Sequence, residues 1–139
     1  MSDPFGIRGL PGTSSATTRG VRVEVLAQYV PSHSAPAEQR FFFAYRVRIK
    51  NEGDEPVQLV SRHWVITDAA GRVEHVRGPG VVGEQPRLLP GEEHEYTSFC
   101  PLPTTSGSMR GSYRMLKDDG SAFDAEVATF SLLVPQLLN

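Results

Sequence analysis

Apolar and polar residues alternate along most of this chain. Val21, Val23 and Val25 are separated by Arg22 and Glu24, the period of two expected of a strand with one buried face. Over residues 41–50, Phe41, Phe43, Tyr45, Val47 and Ile49 fall on one face, and Arg46, Arg48 and Lys50 on the other. Further strands are predicted from about Val57 to Thr67, over 72–77, from His94 to Phe99, from Met109 to Leu116 and from Phe123 to Val134. Turn chemistry separates them: Asn51 to Pro56, Asp68 to Gly71, Pro90-Gly91 and the hairpin turn Asp118-Asp119-Gly120. Longer loops are expected at 30–40, 78–86 and 101–107. No segment carries a helical period, and no internal repeat is visible. Seven or eight short strands at this spacing predict an all-β antiparallel sandwich or barrel, and the long loops favour a sandwich with functional loops at its ends.

Residues 1–20 are rich in Gly, Pro, Ser and Thr and offer little apolar surface to bury. They read as a flexible N-terminal tail, with the domain spanning 21–139. A chain of 139 residues suits one domain with a core of its own. The formal net charge of −2 gives no reason to expect a nucleic-acid partner. Basic residues are mostly arginine, the only lysines being Lys50 and Lys117. Arginine suits planar pairing with carboxylate or phosphate, so it fits both surface ion pairs and ligand recognition. With Cys100 as the one cysteine, neither an internal disulfide nor a Cys-rich metal site is available. The N-terminus has no basic and apolar signal regions, and no apolar run approaches the ~20 residues of a membrane span. A cytoplasmic protein without membrane contact is the expectation.

Several unusual segments occur in a set order: Val57-Gln58-Leu59-Val60-Ser61-Arg62-His63-Trp64, the glycine-rich stretch 78–86, Pro90-Gly91-Glu92, Glu95-Tyr96-Thr97-Ser98, the stretch 107–115, and Val134-Pro135. On these segments the chain resembles the bacterial ApaG family over about residues 21–138. It departs at Phe99-Cys100, where a glycine and a small residue would follow Tyr-Thr-Ser. The resemblance implies a fibronectin type III-like, immunoglobulin-like β-sandwich. It also implies association with cobalt resistance and magnesium efflux, frequent proximity to a diadenosine tetraphosphate hydrolase gene, and use of related domains as protein-interaction modules.

Gly78-x-Gly80-x-x-Gly83 matches a dinucleotide fingerprint as letters. That chemistry needs a helix to follow, so that its N-terminus meets the pyrophosphate. Here Glu84-Gln85-Pro86-Arg87-Leu88-Leu89-Pro90 follows, and two prolines break any useful helix. Three readings of the loop remain. The glycines shape a sharp turn and nothing more; or Val81 and Val82, with Gln85 and Pro86 behind them, offer an apolar tip to a protein partner; or backbone amides beside Arg77 and Arg87 accept a small anion.

Arg62 and His63 form a second candidate surface, because polar residues beside Trp64 need a reason. His33, His63, His75 and His94 show no metal-binding spacing, although His63 and His75 could meet across neighbouring strands. Glu92-Glu93-His94-Glu95 could hold a hard cation loosely, against the plainer reading of a solvated turn. No nucleophile elbow is present, and Cys100 reads as an inert, partly buried thiol. The stripe Arg46, Arg48 and Lys50 reads as a solvated face paired with acidic neighbours, since the aromatic residues lie on the opposite side. Trp64 and Tyr113 read as core.

The sequence therefore predicts a non-catalytic binding module with no cofactor, no metal and an unknown protein partner, its contact placed on residues 78–86. Pairing of two copies through an exposed sheet edge is a further possibility. The competing expectation is a sensor of a phosphorylated small molecule or a divalent metal, served by the arginines around 72–87.

Overall fold

The computed structural model describes residues 12–135. It contains nine strands: β1 (Thr13–Thr18), β2 (Val21–Tyr29), β3 (Phe41–Asn51), β4 (Val57–Asp68), β5 (Val73–Pro79), β6 (Arg87–Leu88), β7 (Glu93–Leu102), β8 (Ser106–Lys117) and β9 (Ala122–Leu133). All pairing is antiparallel. One sheet runs β1-β2-β3-β7; the other runs β5-β4-β8-β9, with β6 also paired to β4. The predicted β-sandwich is therefore what the chain forms.

The inward faces are those the alternation marks. Val21, Val23 and Val25 of β2 and Phe43, Tyr45, Val47 and Ile49 of β3 are buried, with Phe41 packed at the margin. They meet Leu59 and Trp64 of β4, Met109, Tyr113 and Met115 of β8, and Phe123, Val127, Phe130 and Leu132 of β9. Trp64 is 2% exposed, and the rings of Tyr45, Tyr113 and Phe130 stand edge-on or tilted to it at 5.4–5.9 Å. Both Trp64 and Tyr113 are thus core residues. The Tyr113 hydroxyl is bonded to that of Tyr96, and burial pushes its ionisation well above the usual range.

Three expectations need correction. The tail was placed over 1–20, but Thr13–Thr18 forms β1 along β2 and packs against β9; residues 1–11 lie outside the described part. The described residues form nine strands rather than seven or eight, because β1 and the two-residue β6 escape a hydrophobic reading. The 101–107 loop is also shorter than predicted, since β7 runs to Leu102 and β8 begins at Ser106.

One irregularity sets the site. Leu59 pairs with Met115 but Ser61 pairs with Arg114, so Val60 is an extra residue in β4. Such a bulge exchanges the two faces of the strand beyond it. Leu59 points inward before it; Arg62, Trp64 and Ile66 share the inward side after it, opposite Tyr113, Gly111 and Met109.

Candidate functional site

The loop between β5 and β6 is built on that bulge. The Val60 carbonyl accepts from the Gly80 amide at 3.0 Å and from Gln85 Nε2 at 2.8 Å. Gln58 Nε2 donates to the Gln85 carbonyl at 3.0 Å, and the Leu59 amide to the Pro86 carbonyl at 3.0 Å. From the inner face, Arg62 Nη1 donates to the carbonyls of Pro79 and Gly80 at 3.0 and 2.9 Å. The loop is therefore fastened on both sides of β4.

Beyond these clamps the chain closes a tight turn. Val81 and Glu84 exchange backbone hydrogen bonds of 2.8 and 3.0 Å, and the two residues between them, Val82 and Gly83, have φ of 48° and 79°. Two consecutive positive φ values define the type I′ geometry that Asn-Gly normally fills. Gly80 has no substitute, because a Cβ there would lie 2.3 Å from the Glu84 carbonyl oxygen. Val82 does have better substitutes: a β-branched residue in the left-handed region is strained by about 1–2 kcal/mol. It is also 62% exposed.

The structure splits the candidates that the sequence groups together. Val81 is not at the tip; it is fully buried in the core and anchors the turn, leaving Val82 as the exposed apolar residue. The amides of Gly80 and Val81 are already donated to Val60 and Glu84, so these two are not free to bind an anion. Gly78 lies under the Arg62 guanidinium, where a Cβ would come within 2.9 Å of Nη2. Arg87 Nη2 is held by Asp118 at 2.7 Å. Arg77 pairs with His63 and Arg87 with Gln58, so about five residues of β4, roughly 16 Å, separate the two arginines, and they do not converge on the loop. Arg62 and His63 also part company: the first faces inward and the second outward.

On the outer face, His63 Nε2 lies 2.9 Å from His75 Nδ1, so the two histidines do meet across β4 and β5. Partial burial lowers the His63 pKa, helped by Arg77, His75 and Arg110; Asp124 opposes them. An open groove of about 490 Å³ runs beside the pair, lined by Ser61, His63, Arg77, Ser112, Arg114 and Asp124. Arg114 is bonded to Asp124 at 3.2 Å. Among the described residues, no three His, Cys, Asp or Glu side chains gather to hold a metal ion.

The other acidic and basic candidates are accounted for by pairing. Glu92 accepts from the Leu89 amide, Glu93 pairs with Arg48 at 2.7 Å, and Glu95 pairs with Arg46 at 3.1 Å and Arg48 at 3.3 Å. Within the stripe Arg46, Arg48 and Lys50, the two arginines are thus held in cross-strand ion pairs, while Lys50 forms none among the described residues. Cys100 is buried, and burial with the Glu74 carboxylate nearby pushes its thiol up to about 12. No helix among the described residues is long and apolar enough to cross a membrane.

Together these features define a class: an antiparallel fibronectin type III-like sandwich with a clamped type I′ loop at one end. Comparison with known proteins narrows it. The ApaG domain model matches residues 31–117, and the chain belongs to the ApaG domain family. It is 57% identical over 126 residues to Protein ApaG of Anaeromyxobacter dehalogenans (strain 2CP-C), covering 91% of this chain and 99% of that one. It is 55% identical over 125 residues to Protein ApaG of Pseudomonas aeruginosa (strain UCBPP-PA14), covering 90% and 99%. Among solved structures, an ApaA protein from Bordetella pertussis superimposes with a TM-score of 0.81 at 48% identity, covering 91% of this chain and all of that one. The C-terminal domain of wzt shares the fold alone, with a TM-score of 0.54 at 14% identity.

Proposed function

We propose that this chain is a non-catalytic, cytoplasmic binding module that meets a protein partner through the β5–β6 loop, with Val82 as the contact. One observation carries the reading. A strained, β-branched, apolar side chain is held out to solvent at a turn position where Asn or Gly would cost less. The clamps from Arg62, Gln58 and Gln85 fix the turn before any partner arrives, which reduces the ordering cost of binding. Any part in cobalt resistance or magnesium efflux would then be played through the partner.

The test separates contact from folding. Val82→Gly removes the side chain and relieves the backbone, so the variant should be more stable by about 1 kcal/mol in urea unfolding. Immobilised wild type should capture from host lysate a protein that Val82→Gly and Val82→Ser both release. Equal capture by all three would reject the loop as the contact.

A second reading rests on the outer-face groove. Burial first, and then Arg77, His75 and Arg110, hold His63 low, and an anion bound between the arginines would offset the cationic part of that effect. Titration with a nucleoside diphosphate should raise the His63 pKa, read by NMR; an unchanged His63 at saturating nucleotide would remove this sensor reading.

A further inference from the structure

Among the described residues the end strands are β1 and β7 in the first sheet and β5 and β9 in the second; β1 and β9 pack against each other, which leaves β7 and β5 as the edges of the other flank. The β7 edge is guarded. Pro101 lies within the strand, and the flanking Glu93 and Glu95 are tied to Arg48 and Arg46. The β5 edge is not: it runs from Val73 to Pro79 in regular register, with proline only at its last position.

The pairing with β4 fixes what β5 presents. At one end the Gly80 amide bonds to the Val60 carbonyl, and at the other the Asp68 amide bonds to the Arg72 carbonyl. Even-numbered residues of this stretch therefore turn their hydrogen bonds toward β4, and His75 and Arg77 turn theirs to the open edge. The inward side chains of β5 are those of Glu74 and Val76, with Gly78 completing the row, in register with Ile66, Trp64 and Arg62. Glu74 is exposed and has no hydrogen-bond or ion-pair partner among the described residues. The Arg62 guanidinium lies over Gly78, where the missing side chain leaves it room.

We propose that two copies of this chain join edge to edge through β5, antiparallel, about a two-fold axis at Val76. With Val76 facing its own counterpart, Glu74 stands opposite Gly78 of the partner subunit and so meets Arg62 of the partner subunit. Symmetry repeats the ion pair on the other side of the axis. The same register sets His75 against the partner's Arg77, and Arg77 against the partner's His75. These are the residues with edge-facing amides and carbonyls, so the two pairs exchange four backbone hydrogen bonds. The second sheet continues as β9-β8-β4-β5 followed by its mirror order. The contact uses the same patch on both copies, so it closes at two. The Val82 turn takes no part in it, so a failure of this contact and a failure of the loop reading are separately visible.

Sedimentation equilibrium of the full chain tests the register. Wild type should run at twice its 15.3 kDa mass. Glu74→Arg places like charges together, and Arg77→Pro removes an amide that faces only the open edge; both should run as monomers, whereas Arg77→Ala should remain a dimer. Circular dichroism confirms that each variant is folded. In a regular antiparallel ladder the two Val76 residues form a close, non-bonded pair about 4.5 Å apart, so Val76→Cys should form an intersubunit disulfide on mild oxidation. The parent protein, whose Cys100 is buried, should not. A wild type that stays monomeric at millimolar concentration would overturn the proposal. So would a dimer that survives both Glu74→Arg and Arg77→Pro.

Discussion

The charge of His63 is set by its surroundings. The side chain is partly withdrawn from water, lies 2.9 Å from His75, and shares its face with Arg77 and Arg110. Its pKa in the folded chain is therefore below the unfolded value of about 6.5. Over the window between the two values, the unfolded chain binds more protons than the folded one. Stability from this group is present above about pH 6.5 and is lost as pH falls toward the folded value. The urea midpoint should drop on acidification through this window, and His63→Gln should flatten that part of the curve. A slope unchanged by the substitution would mean that another group carries it. The meeting of His63 and His75 was legible as a possibility from strand spacing. The separation of Arg62 from His63 was not, because adjacent letters give no sign of which face each takes.

At the scale of elements, the bulge at Val60 does more than bend β4. It turns Arg62 inward, and Arg62 then ties down Pro79 and Gly80. Arg62→Ala removes two charge-assisted hydrogen bonds to carbonyls, and should cost about 2 kcal/mol in global stability. Hydrogen exchange should quicken first at the Gly80, Val81 and Glu84 amides, while the β3 amides stay protected. Most strands were legible from alternation, because burial of one face forces a period of two. The bulge was not, since an extra residue inside Val57-Gln58-Leu59-Val60-Ser61-Arg62 looks like one more apolar letter. β1 was missed for the opposite reason. Thr13 to Thr18 carries almost no apolar signal, yet an edge strand needs only a ladder to pair with, and β2 supplies it. Val81 misled in the same way: a valine beside glycines reads as a loop tip until the core is seen to reach out to it.

The molecule as a whole is a sandwich closed on one flank, where β1 meets β9, and open on the other between β5 and β7. A cleft of about 290 Å³ enters there and reaches Trp64, Met109 and Cys100. Cys100 keeps its proton in spite of that cleft, its thiol being pushed up to about 12 by burial and by Glu74. At about pH 8 the folded protein should resist iodoacetamide, and unfolding in urea should release one alkylatable thiol per chain. Fast alkylation of the native protein would mean that the flank opens widely in solution.

The aromatic arrangement at the centre has an optical consequence. Trp64 is the only indole in the chain, and Tyr45 and Tyr113 lie within 6 Å of it, one contributed by each sheet. Tyr113 stands on β8, beside Trp64 in the same sheet, so light absorbed by Tyr45 of the facing sheet is the part whose passage to the indole falls as the two sheets separate. The emission of this protein is therefore a gauge of sheet separation, built into the middle of the core and needing no added label.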